Sequence, residues 1–227
     1  MQTAGPPPTL STFPPVIGFL LAANILVFLL QMALGPQLLI GNFGLWPIAP
    51  EPALPHMTGQ PPSFQLWQLV TYGFLHGGLL HLFVNLLAMW LLGMHLEHAW
   101  GSRTFAIYYF ICVIGAGLVQ LIVATQAAGE GQIYPTVGAS GGVFGILLAF
   151  GMMFPNQRLM LLFPPIPIRA KYFVIGYGAF ELFSGITGTA AGIAHFAHLG
   201  GMVVGFLLIQ YWRGKLPIKP RFQRFYW

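Results

Sequence analysis

Gly138-Ala139-Ser140-Gly141-Gly142-Val143-Phe144-Gly145 opens an apolar run that continues to Phe154. A hydroxyl framed by glycines at the mouth of a buried helix is where a nucleophile would stand. In a membrane, a lone run of small residues also serves ordinary close packing of helices. Two further polar clusters decide between these readings: His81-Leu82-Phe83-Val84-Asn85 and Ala194-His195-Phe196-Ala197-His198-Leu199-Gly200-Gly201.

Composition sets the solvent. Hydrophobic residues make up 56% of the 227 and charged residues 6%, with mean hydropathy +0.75. A soluble domain carries roughly 25% charged residues, so this chain is an integral membrane protein. Six apolar runs approach the roughly 20 residues needed to cross a bilayer. They lie at about 16–34, 68–95, 104–126, 139–154, 171–188 and 192–212. Most connections between them are short, which predicts an all-α bundle of six transmembrane helices over 16–212. A Pro-rich tail (1–15) precedes the bundle and a basic tail (213–227) follows it. No basic segment precedes the first run, which reads as a retained helix rather than a signal peptide. The single cysteine, Cys112, excludes an intramolecular disulfide and reads as a small core residue.

The cations set the orientation. All nine (Arg103, Arg158, Arg169, Lys171, Arg213, Lys215, Lys219, Arg221 and Arg224) fall in the second-to-third turn, the fourth-to-fifth turn or the C-terminal tail. Those places share one side of a six-span chain, and by the positive-inside rule that side is the cytoplasm. Both termini are then cytoplasmic, and the net charge of +5 needs no nucleic-acid partner. The long segment at about 35–66, with Trp46 and several prolines, is external and reads as an ordered element at the membrane surface.

This orientation brings the polar clusters to one depth. His81, Asn85, Ser140 and His198 all fall toward the outer ends of spans that run in the same direction. From Ser140 to Phe154 a helix rises only about 22 Å, short of the roughly 30 Å hydrocarbon layer, so Ser140 sits below the outer surface in a water-accessible cavity. A serine hydroxyl needs a neighbouring imidazole to take its proton, and His198 is the candidate base. Aspartate is absent from the chain. Of the four glutamates, Glu51 and Glu130 fall in external loops, Glu97 at the cytoplasmic end of the second span and Glu181 in the fifth; none looks well placed as a third member. The economical reading is a Ser140–His198 dyad. His81 and Asn85, spaced i and i+4, share a helix face and can aim donors with the Ser140 N–H at one oxyanion. His195, one turn outward from His198, reads as a residue at the cavity rim with no assigned role.

Three motifs now stand together: Gly138-Ala139-Ser140-Gly141, His81 to Asn85, and Ala197-His198-Leu199-Gly200-Gly201-Met202-Val203-Val204-Gly205. In combination they resemble the rhomboid family of intramembrane serine proteases across the whole six-span core. The resemblance implies endoproteolysis of a substrate transmembrane segment near its outer end. In it Ser140 is the nucleophile, His198 the general base, and His81, Asn85 and the Ser140 amide the oxyanion hole. It implies no metal and no cofactor; the partners are single-span or other membrane-protein substrates and lipid. Phe144 stands where many relatives carry a tyrosine against the catalytic histidine, and Gln68 where the first loop often carries arginine. The glycine-rich stretch 184–193 reads as a mobile cap with lateral entry beside the fifth span. Six spans with no added seventh and no transit peptide lead to the expectation of a bacterial cytoplasmic membrane.

Competing functions leave features unexplained. A bis-histidine haem protein accounts for neither the serine motif nor Asn85. A metalloprotease lacks His-Glu-x-x-His, since His95-Leu96-Glu97-His98 has the wrong spacing. A catalytically inactive rhomboid-like binding protein needs only the bundle, and it is the alternative that retention of Ser140 and His198 opposes.

Overall fold

A computed structural model of the chain describes residues 13–48, 62–161, 164–189 and 194–220. Its helices are α1 (Pro15–Leu34), α2 (Pro36–Phe43), α3 (Gln68–Thr71), α4 (Leu79–Trp100), α5 (Ser102–Gly129), α6 (Ser140–Met153), α7 (Ala170–Thr187) and α8 (His195–Trp212). Among the described residues, α1, α4 and α5 are long and apolar enough to cross a membrane, and α6 is a shorter apolar helix. The pro-rich N-terminal tail to residue 12, the loop stretch 49–61 and the last seven residues lie outside the described residues.

Helix α6 is the centre of the bundle. Ten of its fourteen residues are buried, because glycine and alanine let neighbours reach its backbone from every side. A methyl group on Gly142 would collide with the Tyr109 ring of α5, and one on Gly145 would lie 2.5 Å from Cys112 Sγ. Cys112 is fully buried there as a small core residue. Tyr108 fills the same interface and donates its hydroxyl to the Gly145 carbonyl at 2.8 Å, which disposes of a phenol that would otherwise be costly to bury.

Helix α1 packs by a narrow stripe of Ile17, Leu20, Asn24 and Gln31 and turns its remaining apolar surface outward. Its start is fixed by the buried Glu97 carboxylate, which accepts the Val16 N–H at 3.0 Å, the Ile17 N–H at 2.8 Å and the Ser102 hydroxyl at 2.6 Å. Helix N-termini leave such N–H groups orphaned and favour negative charge, so one carboxylate meets both demands.

The second apolar run does not form one helix. After α3 and a 3-10 turn at Tyr72–Phe74 the chain becomes extended at Leu75 and passes through Gly77 and Gly78 before α4 begins. The Gln31 side chain holds this break open, accepting the His76 N–H at 3.0 Å and donating to the His76 carbonyl at 3.1 Å. Hydropathy alone cannot register a break whose residues are themselves apolar or small. The segment between α1 and α3 contains α2, and Gln68 ties parts of it together by accepting the Trp46 and Gln65 N–H groups at 3.2 Å each. Between α6 and α7 a short antiparallel hairpin pairs β1 (Arg158–Met160) with β2 (Pro167–Arg169), an element that the sequence reading leaves as a turn.

Candidate active site

Ser140 is the first residue of α6, where the helix N–H groups lack intrahelical acceptors and the dipole is positive. The chain reaches it through Gly138, whose φ of +134° is a conformation side chains rarely adopt. Gly138 donates its N–H to the Tyr72 carbonyl at 2.9 Å, tying the entry of α6 to the break before α4. A methyl group there would also stand 2.8 Å from His81 Cε1 and 2.9 Å from Nε2.

His198 approaches from α8. The approach depends on Gly201, one turn further along, where a methyl group would fall on the Gly141 carbonyl oxygen. With both helices bare at that crossing, His198 Nε2 comes to 2.8 Å from Ser140 Oγ. Phe144 lies flat on the imidazole, with centroids 4.1 Å apart and planes at 6°, so the stacking that a tyrosine would supply is kept without its hydroxyl. His198 is buried and Ser140 half-buried.

His81 and Asn85 line the opposite wall on α4. Gly77 N–H donates to His81 Nδ1 at 3.3 Å, which leaves the ring proton on Nε2, the atom beside Gly138. The position of the absent Gly138 methyl is 2.9 Å from His81 Nε2 and 3.5 Å from Ser140 Oγ, so both groups border one small space. Asn85 is buried and donates one N–H to the His81 carbonyl at 2.8 Å, which leaves the amide a second donor. The His76 ring packs edge-on against His81 at 5.1 Å.

Residues 63–214 match the Rhomboid domain. The chain belongs to the rhomboid family. Rhomboid protease GlpG of Serratia proteamaculans is 28% identical over 195 residues, covering 85% of this chain and 60% of that protein. Rhomboid-like protease 3 of Toxoplasma gondii is 28% identical over 71% of this chain and 57% of its own length. Rhomboid protein 1, mitochondrial, of Saccharomyces cerevisiae is 31% identical over 61% of this chain and 40% of its own length. The chain thus spans between two fifths and three fifths of these relatives, and as a rhomboid it is an integral membrane protein.

The rhomboid core carries one feature that the reading of the glutamates misses. Glu181, set aside as badly placed in the fifth apolar run, turns its carboxylate into the site. Its Oε2 lies 3.0 Å from His198 Nδ1 and 2.6 Å from His195 Nδ1. His195 is accordingly buried against Glu181 and does not stand at a cavity rim; its Nε2 faces the Thr189 carbonyl at 3.2 Å. The signal was present in the sequence, because a carboxylate within an apolar span demands a partner and His195 and His198 were the candidates. Of the proposed cap, residues 184–187 continue α7, Gly188 ends it at φ +68°, and 190–193 lie outside the described residues. Proline at 188 would clash with that φ and so would test folding before gating.

Proposed function

We propose that this rhomboid is an intramembrane serine endopeptidase that cleaves transmembrane segments of other membrane proteins near their outer ends. The observation that carries the reading is the 2.8 Å approach of Ser140 Oγ to His198 Nε2 at the head of a buried helix. Such a hydroxyl is a poor nucleophile until an imidazole accepts its proton, and here the acceptor is in reach and locked by stacking. Attack on a substrate carbonyl would place negative charge beside the Ser140 N–H, the start of α6, His81 Nε2–H and the second Asn85 N–H. That cluster is the proposed oxyanion hole. A binding protein without activity would need none of these groups in register, so the approach favours the enzyme.

The bundle is proposed to cross the membrane six times, α6, α7 and α8 completing the set, with both termini and all nine cations on the cytoplasmic side. A bacterial cytoplasmic membrane is the proposed location. The decisive assay incubates the detergent-solubilised protein with a panel of single-span substrates. Cleavage by the wild type and none by Ser140→Ala is the expected result; equal cleavage by both would remove Ser140 from the mechanism.

A further inference from the structure

We propose that Glu181 is a positioning residue for His198, shared with His195, so that the proposed protease works as a serine–histidine–glutamate relay and not as an isolated pair. The inference rests on the serine protease reading above and adds a third group to it.

Three observations carry it. His198 must keep Nε2 free to accept the serine proton, which requires the ring hydrogen on Nδ1. That Nδ1 is buried and has no aligned hydrogen-bond partner among the described residues; the Glu181 carboxylate, at 3.0 Å, is the acceptor at its side. The contact is off the N–H axis, and catalytic hydrogen bonds are often poorly aligned until substrate binds and tightens them.

Second, Glu181 is itself buried, and a buried carboxylate survives only when paired. His195 provides the pairing. The Thr189 carbonyl can only accept, so His195 Nε2 carries a hydrogen, and its Nδ1 is in hydrogen-bond contact with Glu181 Oε2 at 2.6 Å. His195 thereby holds a carboxylate oxygen beside His198 and gives the buried group a partner.

Third, the spacing fits hydrogen bonds better than a metal. Glu181, His195 and His198 present a ligand set for a cation. Tetrahedral zinc with bonds of about 2.1 Å holds its ligand atoms about 3.4 Å apart. The carboxylate oxygen is at 2.6 and 3.0 Å from the two nitrogens, closer than that.

The proton count closes with Glu181 unchanged. As Ser140 Oγ bonds to the substrate carbonyl carbon, its proton moves to His198 Nε2. The resulting imidazolium is steadied through Nδ1–H by Glu181. The same proton then passes from Nε2 to the leaving amine nitrogen as the C–N bond breaks. Water next attacks the acyl group, gives a proton to Nε2, and that proton returns to Ser140 Oγ as the ester bond breaks. Glu181 touches no substrate atom at any point.

The test uses the full chain in detergent, with a single-span substrate and, separately, a small fluorophosphonate that labels Ser140. Glu181→Gln is expected to lower kcat and the labelling rate together by tenfold or more, with KM changed less than about threefold; Glu181→Asp should recover part of both. In the wild type with 15N-labelled histidine, the Ser140 phosphonate adduct should show a downfield Nδ1–H signal from His198, a readout that needs no variant to fold. A folded Glu181→Gln protein with wild-type kcat and labelling would overturn the proposal. So would an adduct without the downfield signal, equal losses in Gln and Asp variants accompanied by lost thermal stability, or one zinc per chain that disappears in Glu181→Ala. Failure of the serine protease reading itself would look different: the wild type would not label at Ser140 at all.

Discussion

Helices α6 and α7 both pack on α8, and they do so in opposite ways. At the α6–α8 crossing the surfaces are glycine on glycine: Gly141 and Gly201 bring backbone onto backbone, and next to it Gly205 of α8 makes room for the Tyr108 hydroxyl of α5. At the α7–α8 contact the surfaces are looser, with only four of the eighteen residues of α7 buried, two of which, Glu181 and Ser184, are polar. Tyr172, Ile175, Phe183 and Ile186 on the same helix face outward. Lipid is as apolar as leucine, so helices in a membrane are held by close packing and polar contacts and not by a hydrophobic effect between them. The α6–α8 pair uses the first means, to fix Ser140 Oγ against His198 Nε2. The α7–α8 pair uses the second, to place a carboxylate against the histidine.

This contrast can be broken most severely at the proposed dyad. Ser140→Ala and His198→Ala should each reduce cleavage to background, and the double variant should be no slower than either, because the two act as a unit. Gly201→Ala should come next, since the new methyl must displace the Gly141 carbonyl; overpacking of this kind costs about 1–3 kcal/mol and should drag cleavage down at least a hundredfold alongside the melting temperature. The matched change at the looser contact is Gly178→Ala, where the methyl would sit 3.3 Å from the Met202 methyl, the mobile end of a flexible side chain. Thermal melts and cleavage of that variant should stay near wild type, and a loss as large as that of Gly201→Ala would remove the distinction between the two contacts.

The tight crossing was legible in the sequence, because Gly138, Gly141, Gly201 and Gly205 announce close approach at fixed helical spacing. So was the pairing of Ser140 with His198, since these are the serine and the histidine that stand beside those glycines. The break at Leu75 was not, since the residues around it are apolar or small and it is Gln31, far away in the chain, that holds His76. Glu181 escaped for a related reason: sequence position puts it in an apolar run, but only tertiary packing shows which way the face turns and that His195 is its partner.

Smaller effects sharpen the picture on the wall facing the dyad. Asn85→Ala should lower kcat by roughly 10–10³-fold with KM little altered, the scale for one oxyanion donor. A rise confined to KM would move Asn85 to substrate binding. Phe144→Ala should remove a stacking contact of about 0.5–1.5 kcal/mol and slow Ser140 labelling by roughly 2–10-fold. Phe144→Tyr should keep the stacking and stay within about threefold of wild type. Smallest of all, Ile175→Ala on the outward face of α7 should leave the labelling rate within about twofold, since that side chain touches neither contact with α8.

The central claim is that Ser140, with its proton taken by His198, attacks the substrate. Mass spectrometry of the fluorophosphonate-treated protein tests it most directly. A single adduct on Ser140, forming in step with loss of cleavage and absent from His198→Ala, is the predicted result. Full loss of cleavage with the adduct on another residue, or continued cleavage by fully modified protein, would contradict it.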